Sequence, residues 1–268
     1  KIFDRTKQPV MATEVGTAII EQAIKIIAEK NLINEILQNK KGIFSGELRI
    51  GIIPTIAPYL LPLFVQKFTK KYPLVKLIVS ELTTQNIITQ LKENKIDAGI
   101  LVTPLNEVGL TEHVLFYEEL LAYVSKNNPT FKKSVLKAED IDANNLWLLE
   151  DGHCFKSQIL NLCKIKSTDV VHQNFSYEAG SFESLKRMVD VNDGITILPE
   201  LAIADFSTTQ MQKIKPFKNP APVREVSIVV HRNIVKRRLI EALKQEITIT
   251  IPEKIRKNKA TNIIPIAE

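Results

Sequence analysis

The chain has 268 residues, 44% hydrophobic and 25% charged. This balance permits a sizeable core and excludes disordered and fibrous classes. No run approaches the roughly 18 apolar residues of a membrane span, so a cytoplasmic chain with no membrane partner is expected. Net charge is +6, with lysines spread along the whole length, which suits nucleic acid but equally suits solvated helix faces. Residues 1–13 are short, basic and broken by Pro9, and read as a hairpin or wing. A helical pattern then runs from about Glu14 to Lys41. Within it Ile19, Ala23, Ile26, Lys30, Ile33 and Leu37 alternate in spacings of four and three, a coiled-coil seam with one charge in it. Such a helix would be about 40 Å long, and its narrow seam suggests a partner helix, hence a homodimer. Gly42 and Gly46 mark a linker.

Strand–helix alternation begins at Gly46. Leu48, Ile50 and Ile52 alternate as a strand. Pro58 to Lys71 reads as a helix with Leu61, Phe64, Val65 and Phe68 on one face. Leu74–Ser80 is a strand, Thr84–Asn94 a helix and Ile96–Val102 an apolar strand, an order that implies a parallel sheet. Later, Val170–Phe175 reads as a strand, Ser181–Val191 as a helix, Ile195–Leu198 as a strand, and Val226, Ile228 and Val230 as another strand. A last helix is expected near Val235–Glu246, followed from Pro252 by a charged, frayed tail. Extended crossings near Leu120–Lys126 and Pro222–Glu225 suggest two α/β subdomains with a cleft between them, where such folds bind ligands. The loop at Thr55 opens a helix N-terminus toward that cleft, although Thr55 also fits a simple helix cap.

The only two cysteines lie in EDGHCFKSQILNLC, at 154 and 163. They are too few for a disulfide scaffold, their spacing does not suit zinc, and four scattered histidines complete no site. No metal or cofactor is expected. Phe155, Ile159 and Leu162 fall near one helical face, which places Cys154 at a helix N-terminus. There the dipole favours a thiolate, with His153 and Lys156 adding positive potential and Glu150 and Asp151 opposing it. A thiolate in such a place is a plausible target for peroxide. Nine helical residues separate the two sulfurs by about 13 Å along the axis and put them on opposite faces, whereas a disulfide needs Cα atoms within roughly 7 Å. Either the pair never bonds, or bonding unwinds the helix. Two unrelated free thiols, Cys163 being buried as a small hydrophobe, fit equally well at this level. A Cys154–His153 hydrolase fits less well, because adjacent residues rarely face each other.

Several segments resemble the LysR-type transcriptional regulators, and among them the OxyR-like hydrogen-peroxide sensors. Thr13-Glu14-Val15-Gly16 resembles the end of the family's DNA-binding wing, with Ala12 where leucine is common. The helix to Lys41 resembles its dimerising linker helix. LRIGIIPTIAPYLLP and LEDGHC carry the closest likeness, while VNDGITILP is shared across the whole family. The run FSYEAGSF is slightly longer than usual. The resemblance implies an α/β fold of two Rossmann-like subdomains with a cleft, similar to periplasmic binding proteins and preceded by the long helix. It implies a wing remnant at 1–16, a linker helix at 17–45, one subdomain at 46–120 plus 224–268 and a second at 121–223.

By the same likeness Cys154 is the peroxide-reactive thiol and Cys163 the resolving one. Thr55, Thr84, Gly152, His153 and Arg224 surround the peroxide, and Arg5 and Lys7 touch DNA phosphates. Implied partners are hydrogen peroxide, promoter DNA through a head preceding Lys1, a second copy through the helix (and a tetramer), and RNA polymerase. The implied action is a stoichiometric switch, reset by glutathione- or glutaredoxin-type reduction, and not a turnover enzyme. The rivals are a LysR-type sensor of a small organic effector, a thiol peroxidase, and an extracytoplasmic solute-binding protein. The wing and seam speak against the last of these.

Overall fold

The computed structural model describes all residues except 7–8, 41–43, 153, 167, 169–176, 178 and 267–268, together with some side chains of the first helix. Strands β1 (Phe3–Asp4) and β2 (Met11–Ala12) pair antiparallel, with Phe3 opposite Ala12, so the wing is a hairpin. Thr13 ties it to α1 (Glu14–Lys40). Its N–H donates to the Ile2 carbonyl at 3.0 Å, and its hydroxyl accepts from the Gly16 N–H at 2.9 Å. A Cβ at position 16 would run into the Ile2 carbonyl, which is why glycine sits at this junction. Along α1, Ile19, Ile26 and Ile33 are exposed at seven-residue spacing, as are Ala23 and Lys30 between them. The side chain of Leu37 lies outside the described residues.

Strands β3 (Gly46–Ile52), β4 (Val75–Glu81) and β5 (Ala98–Thr103) are parallel, with α2 (Ala57–Lys71) and α3 (Thr84–Lys92) as their crossovers. The remaining main strands are β6 (Leu110–Val124), β7 (Ile195–Pro199), β8 (Ile214–Pro216) and β9 (Val223–His231). Their order is β4-β3-β5-β9-β6-β7, with β8 also on β6. The parallel sheet read from the sequence therefore holds only for the first three strands. Strand β9 is antiparallel to both β5 and β6, and β6 is antiparallel to β7 and β8. The physical reason is that β6 carries the chain out of the first core and β9 brings it back alongside. The expected crossing near Leu120–Lys126 is the far half of β6.

Two apolar cores result. The first packs Leu48, Ile50 and Ile52 of β3 against Phe64 and Phe68 of α2. The buried face of α2 is Ala57, Leu60, Phe64 and Phe68, so Leu61 and Val65 sit at its margin. The second core joins the end of β6 to β7, α4 (Cys154–Cys163) and α5 (Phe182–Val191). The strand expected at Val170–Phe175 lies outside the described residues, as do three positions of FSYEAGSF. After the short α6 (Thr208–Met211), helix α7 (Arg237–Thr250) runs four residues past the expected end, because Ile247 still points into the first core. Among the described residues no helix is long and apolar enough to cross a membrane.

The segment after Pro252 is not frayed. It forms α8 (Glu253–Arg256) and then passes beside β9. Ile255 is buried in the first core and Ile264 in the second. The Val223 N–H donates to the Asn262 carbonyl, and the Ile264 N–H donates to the Val223 carbonyl, both at 2.9 Å. Lone isoleucines among lysines anchor it, which an average over charged neighbours hides. Ile255→Ala should therefore lower the unfolding free energy by about 2–5 kcal/mol in urea titration, whereas a frayed tail would show no change.

Candidate functional site: the thiol between two cores

Helix α4 lies across the junction of the two cores. Its first residue, half-buried Cys154, packs against the first core, while Phe155, Ile159 and Cys163 belong to the second. Just before it, Gly152 adopts φ +94° with open space where a side chain would begin. This left-handed turn, unfavourable for other residues, brings the chain into the helix. His153 lies outside the described residues. Neither thiol is in a disulfide.

Three expected residues, Thr55, Thr84 and Arg224, lie around this junction. Thr55, buried between β3 and α2, does not cap α2: the cap position is Ile56, with no side-chain hydrogen bond. Its hydroxyl instead accepts from Arg224 Nη1 at 3.3 Å, and its carbonyl accepts from Arg224 Nη2 at 3.2 Å. Arg224 is only 1% exposed, and its charge must be met inside the protein. Glu118 meets it, with Oε1 accepting from Arg224 Nε at 2.7 Å and Oε2 accepting from the Leu201 N–H at 3.0 Å. The guanidinium also lies 5.3 Å from the Phe155 ring centre, within cation–π range. Thr84 is the first residue of α3, capped by Thr83. Its hydroxyl is buried without a hydrogen-bond partner of ordinary geometry, yet it is close enough to pull the Cys154 thiol pKa down.

The electrostatics differ from the sequence expectation. Burial pushes the Cys154 thiol above its ordinary value. The Thr84 hydroxyl, Arg224 and the first N–H groups of α4 pull the other way without cancelling it. Thus the dipole acts as expected, but desolvation wins. Lys156 contributes little to the thiol, because it is paired with Asp151 at 2.7 Å. Arg224 supplies the positive potential instead. Cys163 is pushed up to about 12 by burial, so it is a thiol at neutral pH. Arg5 is exposed on the wing, away from this pocket, and Lys7 lies outside the described residues.

Sequence reasoning missed Glu118 and the aromatic wall of the site. In β6 the buried positions alternate as Phe116, Glu118 and Leu120. An acid on the apolar side of a period-two strand signals a buried cationic partner. Tyr59 packs against both cores, and its hydroxyl donates to Glu183 Oε1 at 3.3 Å. Phe155 stacks edge-on against Phe182 at 4.8 Å. Among the described residues no group of His, Cys, Asp and Glu could hold a metal ion.

Residues 41–249 match the family model of the LysR substrate binding domain, the class that this two-core fold defines. The chain is 32% identical to the hydrogen peroxide-inducible genes activator of Haemophilus influenzae, over 85% of this chain and 75% of that protein. It is 28% identical to the DNA-binding transcriptional dual regulator OxyR of Escherichia coli K12, over 92% of this chain and 80% of that one. The crystal structure of OxyR from Porphyromonas gingivalis superposes with a TM-score of 0.74 at 33% identity, covering 81% of this chain and 98% of that one. A full-length OxyR variant from Pseudomonas aeruginosa gives 0.76 at 29% identity, covering 93% and 82%. The chain belongs to the OxyR hydrogen peroxide-inducible activators of the LysR family.

Two outcomes test the geometry. Because the Cys154 pKa lies above the ordinary thiol value, the thiolate fraction grows as pH rises toward it. Stopped-flow oxidation of Cys154 by peroxide should therefore speed up about tenfold per pH unit from 6 to 8, and a flat profile would contradict the burial argument. Glu118→Gln should cost about 3–5 kcal/mol of stability in urea, since it leaves Arg224 buried without a counter-charge.

Proposed function

We propose that this protein senses hydrogen peroxide through Cys154 and responds by bonding Cys154 to Cys163. The observation that supports this most is that α4 carries one thiol at each end, on opposite faces and about 13 Å apart along the axis. A disulfide between them requires α4 to unwind, so the redox state sets the shape of the segment. The Cys154 thiolate attacks one oxygen of the peroxide, the O–O bond breaks, hydroxide leaves and Cys154 becomes a sulfenic acid. The deprotonated Cys163 sulfur then attacks the Cys154 sulfur, the S–OH bond breaks, and the hydroxide leaves as water after taking a proton. Both thiols are oxidised, and one peroxide is reduced to two waters.

In this reading His153, the Thr84 hydroxyl, which acts on the thiol, and Thr55 with Arg224 behind it orient the peroxide, with Gly152 beside the thiol. Burial of Cys163 separates the two steps, because it cannot resolve the sulfenic acid until α4 opens. Resetting is by a thiol reductant of the glutathione or glutaredoxin type, and the action is stoichiometric. The exposed Ile19, Ile26 and Ile33 row pairs two copies, and the regulatory parts pair again into a tetramer. The two lobes are residues 46–120 plus 224–268 and residues 121–223. Promoter DNA is bound through the winged head to which residues 1–16 belong, with Arg5 and Lys7 on phosphates, and RNA polymerase is the downstream partner.

Mass spectrometry after one equivalent of peroxide should show loss of two hydrogens and a 154–163 crosslink. Cys163→Ser should stop at the sulfenic acid, and Cys154→Ser should not react at matched dose. If wild type and Cys154→Ser respond alike, the reading fails. Separately, Ile26→Lys should shift the protein to a smaller species in analytical ultracentrifugation, since it places like charges across the paired seam.

A further inference from the structure

The C-terminal segment touches the switch helix at its middle and near its end. Gln158, one turn after Cys154 on α4, is fully buried, and its Nε2 donates to the Ile264 carbonyl at 2.8 Å. Asn161 Nδ2 donates to the Pro265 carbonyl at 3.3 Å. These are side-chain bonds from α4 to main-chain carbonyls of a segment more than a hundred residues away. The same segment is paired to β9 at Val223, the residue before Arg224. Upstream, Asn258 donates to Glu200 at 2.8 Å, and the next residue, Leu201, donates its N–H to Glu118. The tail thus holds both the helix that must unwind and the strand that carries the charge beside the thiol.

The Gln158 amide is also only half satisfied. Its Oε1 is buried with no hydrogen-bond partner among the described residues, which is unfavourable in a dry interior. Unwinding would expose that oxygen to water, while breaking the bond to Ile264.

Resting on the redox reading above, we infer that Gln158 is a positioning residue for the resolving step. Through the Ile264 carbonyl it clasps α4 to the C-terminal segment, and this clasp sets how readily Cys163 reaches oxidised Cys154. It leaves the first oxidation untouched, because the Gln158 amide bonds the Ile264 carbonyl, while the groups that act on the thiol are Thr84, Arg224 and the first backbone N–H groups of α4. By reciprocity of coupling, bond formation between the thiols must loosen the tail.

The test uses the full chain, wild type and the variants Gln158→Met and Asn161→Ala, mixed with hydrogen peroxide. The reaction is quenched at intervals by alkylation, and mass spectrometry counts sulfenic acid and disulfide separately. Losing one buried hydrogen bond should speed conversion of sulfenic acid to disulfide about three- to tenfold in Gln158→Met. Cys154 oxidation should stay within about twofold, since none of the groups that act on the thiol changes. The exposed Asn161→Ala variant, which leaves the core intact, should shift in the same direction by less. In wild type, hydrogen exchange at the Ile264 amide should be faster after oxidation than before.

Conversion that is unchanged or slower in both variants overturns the clasp, as does equal Ile264 protection in the two redox states. A purely structural Gln158 would lower stability in urea while leaving the conversion rate and the exchange difference unaltered. If wild type gives sulfenic acid but never a 154–163 bond, the redox reading itself falls and the clasp falls with it.

Discussion

Arg224 and Glu118 form a charge pair with almost no access to water, one residue on each of two neighbouring strands. Such a pair is expensive to bury and collapses if either member is lost, so everything around it is arranged to keep it satisfied. Arg224 spends its remaining donors on Thr55, which fixes the turn from β3 into α2. Glu118 spends its second oxygen on the Leu201 N–H, which fixes the turn after β7. One ion pair therefore ties a loop of the first core to a loop of the second. The thiol sits beside the point where they are tied.

That placement explains why Cys154 is at once reachable and restrained. Its helix contributes N–H groups and Arg224 contributes charge, both of which favour the thiolate. Burial opposes them and wins in the folded reduced state. The Thr84 hydroxyl adds to the pull toward the thiolate without reversing the balance. Cys163 is held more firmly as a thiol, deep in the second core. The same burial that quiets both sulfurs keeps them from meeting.

Much of this was legible in the sequence. Period-two runs gave β3 and β9, a continuous apolar run gave β5, the four-three seam gave α1, and the spacing after Gly152 put Cys154 at the start of α4. The resemblance grouped Thr55, Thr84 and Arg224 about Cys154; in the structure Arg224 bonds Thr55, and Arg224 and the Thr84 hydroxyl act on the thiol. What escaped had specific causes. The direction of the Cys154 shift depends on how much protein surrounds the sulfur, and spacing does not report that. The antiparallel return of β9 depends on β6 spanning both cores, a long-range fact with no local signature. The tail was misjudged because Ile255 and Ile264 are isolated apolar residues in a run of lysines, and only their distant partners reveal that they are buried.

Strand β6 has a consequence of its own. Its first half pairs with β9 and its second half with β7 and β8, so the two cores share one continuous beam. A linker between lobes would let them swing freely. A strand hydrogen-bonded to β9 along its first half and to β7 and β8 along its second resists bending more than a free linker does. The change of partner falls between Glu119 and Leu120, and within the first half a register shift between Val114 and Phe116 interrupts the ladder to β9. The two cores are therefore joined through a shared strand and not through a free hinge, and α4, with a thiol at each end, lies across their junction.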